Sequence, residues 1–241
     1  MMESKKKLLN YFDVEKNIQI AINSGQTIRV ISYSMSDDIE KKIDAIIENI
    51  LVKYGQPDHK SFIYTVIKEL AINGTKANLK RIFFEEKGLN IHDEKDYEAG
   101  MQQYKEVMTE EMAVIYGQKA REKGLYVKIS FFHEPDGLRI EIINSTKMTP
   151  QEEKRLRDKL AKTMTYNDLM EFYMDNADNT EGAGMGMALI ITLMKSSEID
   201  PNLFRIMSQE ESTIARIEIP FNKNYISFRD RGQNARKSED E

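Results

Sequence analysis

The chain has 241 residues, 40% hydrophobic and 31% charged, which is the profile of a soluble globular protein long enough to bury a proper core. A net charge of −5 excludes broad electrostatic binding of nucleic acid, and the lack of any cysteine excludes disulfides, thiolate nucleophiles and Cys-based zinc sites. No apolar run approaches the ~18 residues of a membrane span, and MMESKKKLLNYF lacks the apolar region of a secretory signal, so a cytoplasmic protein without membrane contact is expected.

In chain order, residues 1–26 read as an N-terminal extension. Thr27–Met35 (TIRVISYSM) places β-branched residues at near-alternate positions and predicts a strand. Ser36, Asp37 and Asp38 offer a helix N-cap. From Ile39 to Val52 the residues Ile43, Ile46, Ile47, Ile50 and Leu51 recur at three and four, predicting an amphipathic helix that ends at Gly55–Asp58. A second helix is predicted over Lys60–Phe84, with Ile63, Ile67, Leu70, Gly74 and Ala77 as its core stripe. Glu85–Gly124 is more charged and reads as a helical insertion. Its stripe of Met101, Tyr104, Met108, Met112 and Ile115 suits one helix, packed on its own domain or offered to a dimer mate or partner, since methionine adapts to varied surfaces.

Leu125–His133 and Leu138–Asn144 form a predicted β-hairpin around Glu134–Gly137, a turn longer than two residues. Pro150–Lys162 reads as a charged helix, Thr163–Glu181 as a loop, and Gly186–Lys195 as a helix. Phe204–Met207 and Ile214–Pro220 (the latter within IARIEIP) close the fold as strands, and the polar tail from Asn222 is expected to be disordered. This order predicts an α+β fold, a two-layer sandwich of a mixed, mostly antiparallel sheet with helices on one face.

The segment Glu181–Ile191, EGAGMGMALII, carries Gly182, Gly184 and Gly186 into an apolar helix. Its G-x-G-x-G spacing, after the polar run NADNTE, is neither the G-x-G-x-x-G of a dinucleotide fold nor a Walker A loop. A flexible loop entering a helix N-terminus is nevertheless a seat for phosphate, as well as a hinge. In the helix before it, ELAINGTKAN sets Glu69, Asn73 and Lys76 at i, i+4 and i+7, on one face beside the core stripe. A carboxylate, an amide and an ammonium so arranged suit metal-assisted phosphoryl transfer, as base, Mg²⁺ ligand and phosphate contact; they also suit a solvated helix face. The three histidines, His59, His92 and His133, have no metal-ligand spacing.

ELAINGTKAN resembles the N box, and EGAGMGMALII the glycine-rich G2 box, of the GHKL ATPase superfamily of histidine kinases, anti-sigma-factor serine kinases, Hsp90, MutL and type II topoisomerases. IEIINS stands where that superfamily has its G1 box, and ESTIARIEIP looks like its terminal strand; the likeness runs from Thr27 to Pro220 with the motifs in order. It implies a histidine kinase-like ATPase fold holding ATP and Mg²⁺ over residues 27–221, under a lid at about 145–186. It further implies Glu69 as general base, Asn73 as Mg²⁺ ligand and Lys76 as a phosphate contact. Gly182, Gly184, Met185, Gly186 and Met187 would wrap the phosphates, and Thr213 would support the adenine pocket. The sequence departs from the superfamily's D-x-G-x-G at the G1 box: Asn144 replaces the Asp, and both glycines are missing. An amide oxygen can still accept from the adenine N6, without the carboxylate's charge.

The superfamily's transducer branches are not expected, because the chain ends soon after its last strand. A sensor histidine kinase is disfavoured because His59 lies in a short turn where no acceptor hairpin fits. A strand, one helix and then the N box resemble stand-alone serine kinases of the anti-sigma-factor type. The expectation is therefore a cytoplasmic protein that binds Mg²⁺-ATP and phosphorylates or switches a protein partner, with a homodimer possible. Two alternatives stand beside it: a non-catalytic nucleotide-sensing or protein-binding module, and a histidine kinase whose acceptor lies on another chain.

Overall fold

Alternation of apolar and polar residues over Val127–Glu134, Gly137–Asn144 and Ser212–Pro220 produces the strands β2, β3 and β5 of one sheet. With β1 (Ile28–Ser32) and β4 (Phe204–Gln209) they form a five-stranded sheet in the order β1-β2-β3-β5-β4, antiparallel at every ladder. The computed structural model describes residues 15–166, 168–176 and 185–232. Its helices are α1 (residues 15–23), α2 (Asp37–Tyr54), α3 (Lys60–Glu86), α4 (Glu94–Val107), α5 (Glu110–Glu122), α6 (Pro150–Met164), α7 (Leu169–Asn176) and α8 (Met185–Ser196). The fold is the expected α+β two-layer sandwich.

The inner face of the sheet carries Ile129, Phe131, Ile140, Ile142 and Ile217, with Phe131 opposite Ile140 and Ile140 opposite Ile217 in register. Ile46, Ile47 and Ile50 of α2, Ile63 and Ile67 of α3, and Ile190 and Ile191 of α8 pack onto it and are essentially solvent-free. Each such side chain contributes roughly 1.5–3 kcal/mol on burial. Gly55, at φ 66°, ends α2 in the left-handed conformation.

A second, smaller core lies beyond the first. Leu79, Ile82, Phe83 and Phe84 from the C-terminal half of α3 meet Tyr97 and Tyr104 of α4 and Tyr116 and Ala120 of α5. The methionine stripe is folded inward: Met101, Met108 and Met112 pack against this cluster, whereas Ile115 remains 46% exposed. The stripe spans two helices, because α4 ends at Val107 and Thr109 caps α5 by accepting from the Met112 N–H at 3.3 Å.

Three further expectations are revised. Glu134 pairs directly with Gly137, so the hairpin turn is only Pro135 and Asp136. The region read as a loop contains α7, whose Phe172 packs edge-on against Tyr166, with ring centroids 5.3 Å apart. Residues 223–232 of the tail, expected to be disordered, fold back over the other face of the sheet, and the rest of the tail lies outside the described residues. There the Tyr225 hydroxyl and the Phe228 N–H both donate to Glu218 Oε2 at 2.7 Å, and Arg231 grips Glu134. The Phe228 ring lies against the Arg139 and Arg216 guanidiniums. Polar composition concealed this strap because ion pairs and cation–π contacts, rather than aliphatic burial, hold it. Among the described residues no helix is long and apolar enough to cross a membrane.

Candidate functional site

α3 lies close against the sheet at Gly74. A Cβ there would stand 3.0 Å from Val127 Cγ2 and 3.7 Å from Asn144 Cβ, so the missing side chain lets the helix lie beside the end of β3. Past this contact the layers part and leave a cavity of about 350 Å³, with α3 and α6 as walls, β3 and β5 as floor, and the first turn of α8 at one end. That volume lies within the roughly 300–1,000 Å³ typical of small-molecule sites.

Most of the residues singled out from sequence meet here. Glu69, Asn73, Asn144, Gly186, Met187 and Thr213 all line the cavity. The Asn73 amide donates to Glu69 Oε1 at 3.1 Å. A Cβ on Gly186 would lie 1.9 Å from the same oxygen, so glycine is the residue that lets α8 begin against that carboxylate. Met187 is 8% exposed and also belongs to the main core, whereas Met185 packs towards Tyr166 and Phe172. Gly182 and Gly184 lie outside the described residues. Lys76 is exposed and is not part of the lining. At about 100° per residue it falls about 20° to the far side of Glu69 from the cavity. Lys80, one turn further along, takes the cavity side instead.

Asn144 closes β3 opposite Thr213 and is 6% exposed. Its Nδ2 donates to Thr146 Oγ1 at 2.9 Å, and the Thr146 hydroxyl donates to Asn78 Oδ1 at 3.1 Å. Asn144 Oδ1 is buried without a hydrogen-bond partner. The segment that follows is pinned by Thr213, donating to the Thr146 carbonyl at 2.9 Å, and by Arg81, donating to the Lys147 carbonyl at 2.8 Å.

Sequence reasoning missed the wall formed by Lys80, Arg81 and Glu152. Glu152 pairs with both cations, its Oε2 lying 2.5 Å from Arg81 Nη2 and its Oε1 against Lys80 Nζ. Burial raises the carboxyl pKa, but Arg81 and Lys80 outweigh it and hold the group down at about 2. The same carboxylate accepts from the Thr149 N–H while the Thr149 side chain accepts from the Glu152 N–H, a reciprocal capping box at the start of α6. The run Thr149-Pro-Gln-Glu152 carries that box in the sequence; its reach to α3 does not show there. Tyr97 and Met101 of α4 also line the cavity, with Arg155 4.9 Å and Lys80 5.4 Å from the Tyr97 ring centroid.

A second, wider groove of about 900 Å³ runs along α1 and α2. Three of its carboxylates are answered locally, Glu40 by Lys68 and Asp44 and Glu48 by Lys60, and no unpartnered buried polar atom among the described residues belongs to it. The cavity at Asn144 is the better candidate.

No protein-family model matches the chain, and no solved structure matches it. An uncharacterized protein of Treponema pallidum (strain Nichols) is 37% identical to it over 210 residues, which make up 87% of this chain and 40% of that protein. The chain is thus similar to a part of a longer bacterial protein and spans two-fifths of its length.

Proposed function

We propose that the cavity binds Mg²⁺-ATP and that the chain acts as a cytoplasmic GHKL-type protein kinase or partner-switching regulator in signalling. The observation that carries this reading is the meeting of three separate sequence segments in one cavity: Glu69 and Asn73 on α3, Asn144 at the end of β3, and Gly186 at the start of α8. The residues fit the ligand. Asn144 Oδ1 is a buried acceptor without a donor, suited to an exocyclic amine. Among the described residues no cluster of three or more His, Cys, Asp or Glu could hold a metal unaided. An Mg²⁺ that arrives with phosphate oxygens needs fewer protein ligands, and Asn73 suits it because its Nδ2 is committed to Glu69 and its oxygen is not.

Bound Mg²⁺-ATP would supply an activated phosphoryl group. The chain's part is to position and deprotonate. The Glu69 carboxylate accepts the proton of the incoming hydroxyl, and the Asn73 amide holds it in place. Leu70, Ala77 and Ile142 add apolar lining to the cavity, which would shelter a bound base from water. Calorimetric titration with ATP and Mg²⁺ tests the reading, and no binding at millimolar nucleotide would sink it.

A non-catalytic nucleotide-sensing or protein-binding module is the second reading, favoured by the exposure of Lys76 and by the amide at position 144. Glu69→Gln separates the two. A kinase loses phosphotransfer to its protein acceptor by roughly 10²-fold or more, whereas a binding module keeps full biological activity. Acid lability of the labelled product would identify a histidine acceptor on another chain.

A further inference from the structure

The buried acceptor at Asn144 is not an isolated feature, because the other end of its amide is tied down. An asparagine side chain offers a donor at one end and an acceptor at the other, and a rotation of about 180° exchanges them. A free Asn144 could therefore greet either an amino or an oxo substituent on a base. Here the Nδ2 end donates to Thr146 Oγ1, and the Thr146 hydroxyl uses its own proton on Asn78 Oδ1. Asn78 is 1% exposed on α3, so the relay starts from a side chain buried in the interior. Thr146 is held in turn through its carbonyl by the Thr213 hydroxyl. With its NH2 group turned to Thr146, Asn144 presents Oδ1 at the other end, and that atom is without a partner.

We infer that Asn78 and Thr146 are positioning residues that fix the amide of Asn144 with its acceptor towards the ligand, so that the site selects a 6-aminopurine over a 6-oxopurine. The inference rests on the proposed nucleotide site and adds its base selectivity, with the two residues that set it. A carboxylate at position 144 would need no such device, since both of its oxygens accept. The relay turns the amide so that its oxygen, rather than its NH2 group, is left for the ligand.

The test is calorimetric titration of the purified full chain with ATP and with ITP, each with Mg²⁺. The wild type is expected to bind ATP about tenfold or more tighter than ITP, the effect of one hydrogen bond to a buried group. Thr146→Val, nearly isosteric but unable to accept from Nδ2, is expected to bring that ratio to within about threefold of unity. Asn78→Asp keeps an acceptor for the Thr146 hydroxyl and is expected to keep the ratio. The double variant Asn144→Asp with Thr146→Val should regain it, because a carboxylate has no orientation to set. A purely structural role for Thr146 would lower stability without moving the ratio. Should Thr146→Val fail to fold, Thr146→Ser against Thr146→Ala makes the same comparison. ITP bound as tightly as ATP, or tighter, overturns the relay while leaving the nucleotide site standing. So does a ratio unmoved by loss of the hydroxyl. Failure to bind either nucleotide overturns both the site and the relay.

Discussion

Gly186 and Glu69, 117 positions apart in sequence, are in such close approach that one added methyl group would stand 1.9 Å from the carboxylate oxygen. The glycine at the start of α8 is there for a side chain on α3. Gly186→Ala must therefore push Glu69 out of place or lift the first turn of α8. The expected result is a loss of about 1–3 kcal/mol of stability from overpacking. If the proposed function holds, about tenfold or more of phosphotransfer is lost with it. Removing the obstacle tests the cause: in a Glu69→Ala background the same glycine substitution should cost less by about 1 kcal/mol or more, read from denaturant unfolding as a double-mutant cycle.

Glu152 sets a pH dependence with a definite sign. Its carboxyl is held down at about 2 in the folded protein against an ordinary value of 4.5. The stabilisation it provides is complete above the unfolded value and is lost as the pH falls from about 4.5 towards 2. Glu152→Gln leaves Lys80 and Arg81 without their counter-charge. It should lower stability at pH 7 by on the order of 2–3 kcal/mol. Chemical denaturation followed across pH should show the gap between wild type and variant narrowing through that acid window. A gap that persists unchanged to pH 2 would show that the carboxylate's charge is not what stabilises the wall.

The second core depends on a glycine as well. A Cβ on Gly100 would lie 2.5 Å from Phe84 Cζ. Gly100→Ala should cost about 1–3 kcal/mol in thermal or chemical unfolding, because the Phe84 ring is fully packed. Since α4 carries Tyr97 and Met101 to the cavity, nucleotide affinity should fall with it if the proposed function holds, although Gly100 does not line the cavity.

Across the sheet, Tyr225→Phe removes a hydroxyl that donates to the buried carboxylate of Glu218. Burial together with Glu218 holds the Tyr225 pKa well above its ordinary value. The variant should be destabilised by roughly 1.5–3 kcal/mol, the range for a hydrogen bond to a charged group. Truncation after Phe221 should cost more, as it also removes the Phe228 N–H from Glu218 and the pairing of Arg231 with Glu134.

What could be read in advance depended on how local its cause was. The periodicity that marks α2 and α3, and the alternation that marks β2, β3 and β5, arise within each segment, so their positions were legible to within a few residues. Glu69 and Asn73 could be singled out because polar groups beside an apolar stripe stand out on a helix, whereas Asn144 was singled out only by the resemblance at the G1 box. Lys76 could not be separated from Lys80 in the same way. Both lie near Glu69 on the helix wheel, and only the placement of the sheet decides which side faces the cavity. The Glu152 clasp, the Asn78–Thr146 relay and the C-terminal strap are contacts between distant segments through polar atoms, which leave no periodic trace.

The long helix α3 rests on two separate supports. Its first half is embedded in the main core through Ile63 and Ile67, and its last turns in the smaller one through Ile82 and Phe83. Glu69, Asn73 and Lys80 fall across the span between them, where the cavity opens. The arrangement is that of a beam loaded at mid-span. The far bearing of that beam is shared with α5, which packs on it through Tyr116 and Ala120 while Val114 and Ile115 on its other side meet solvent.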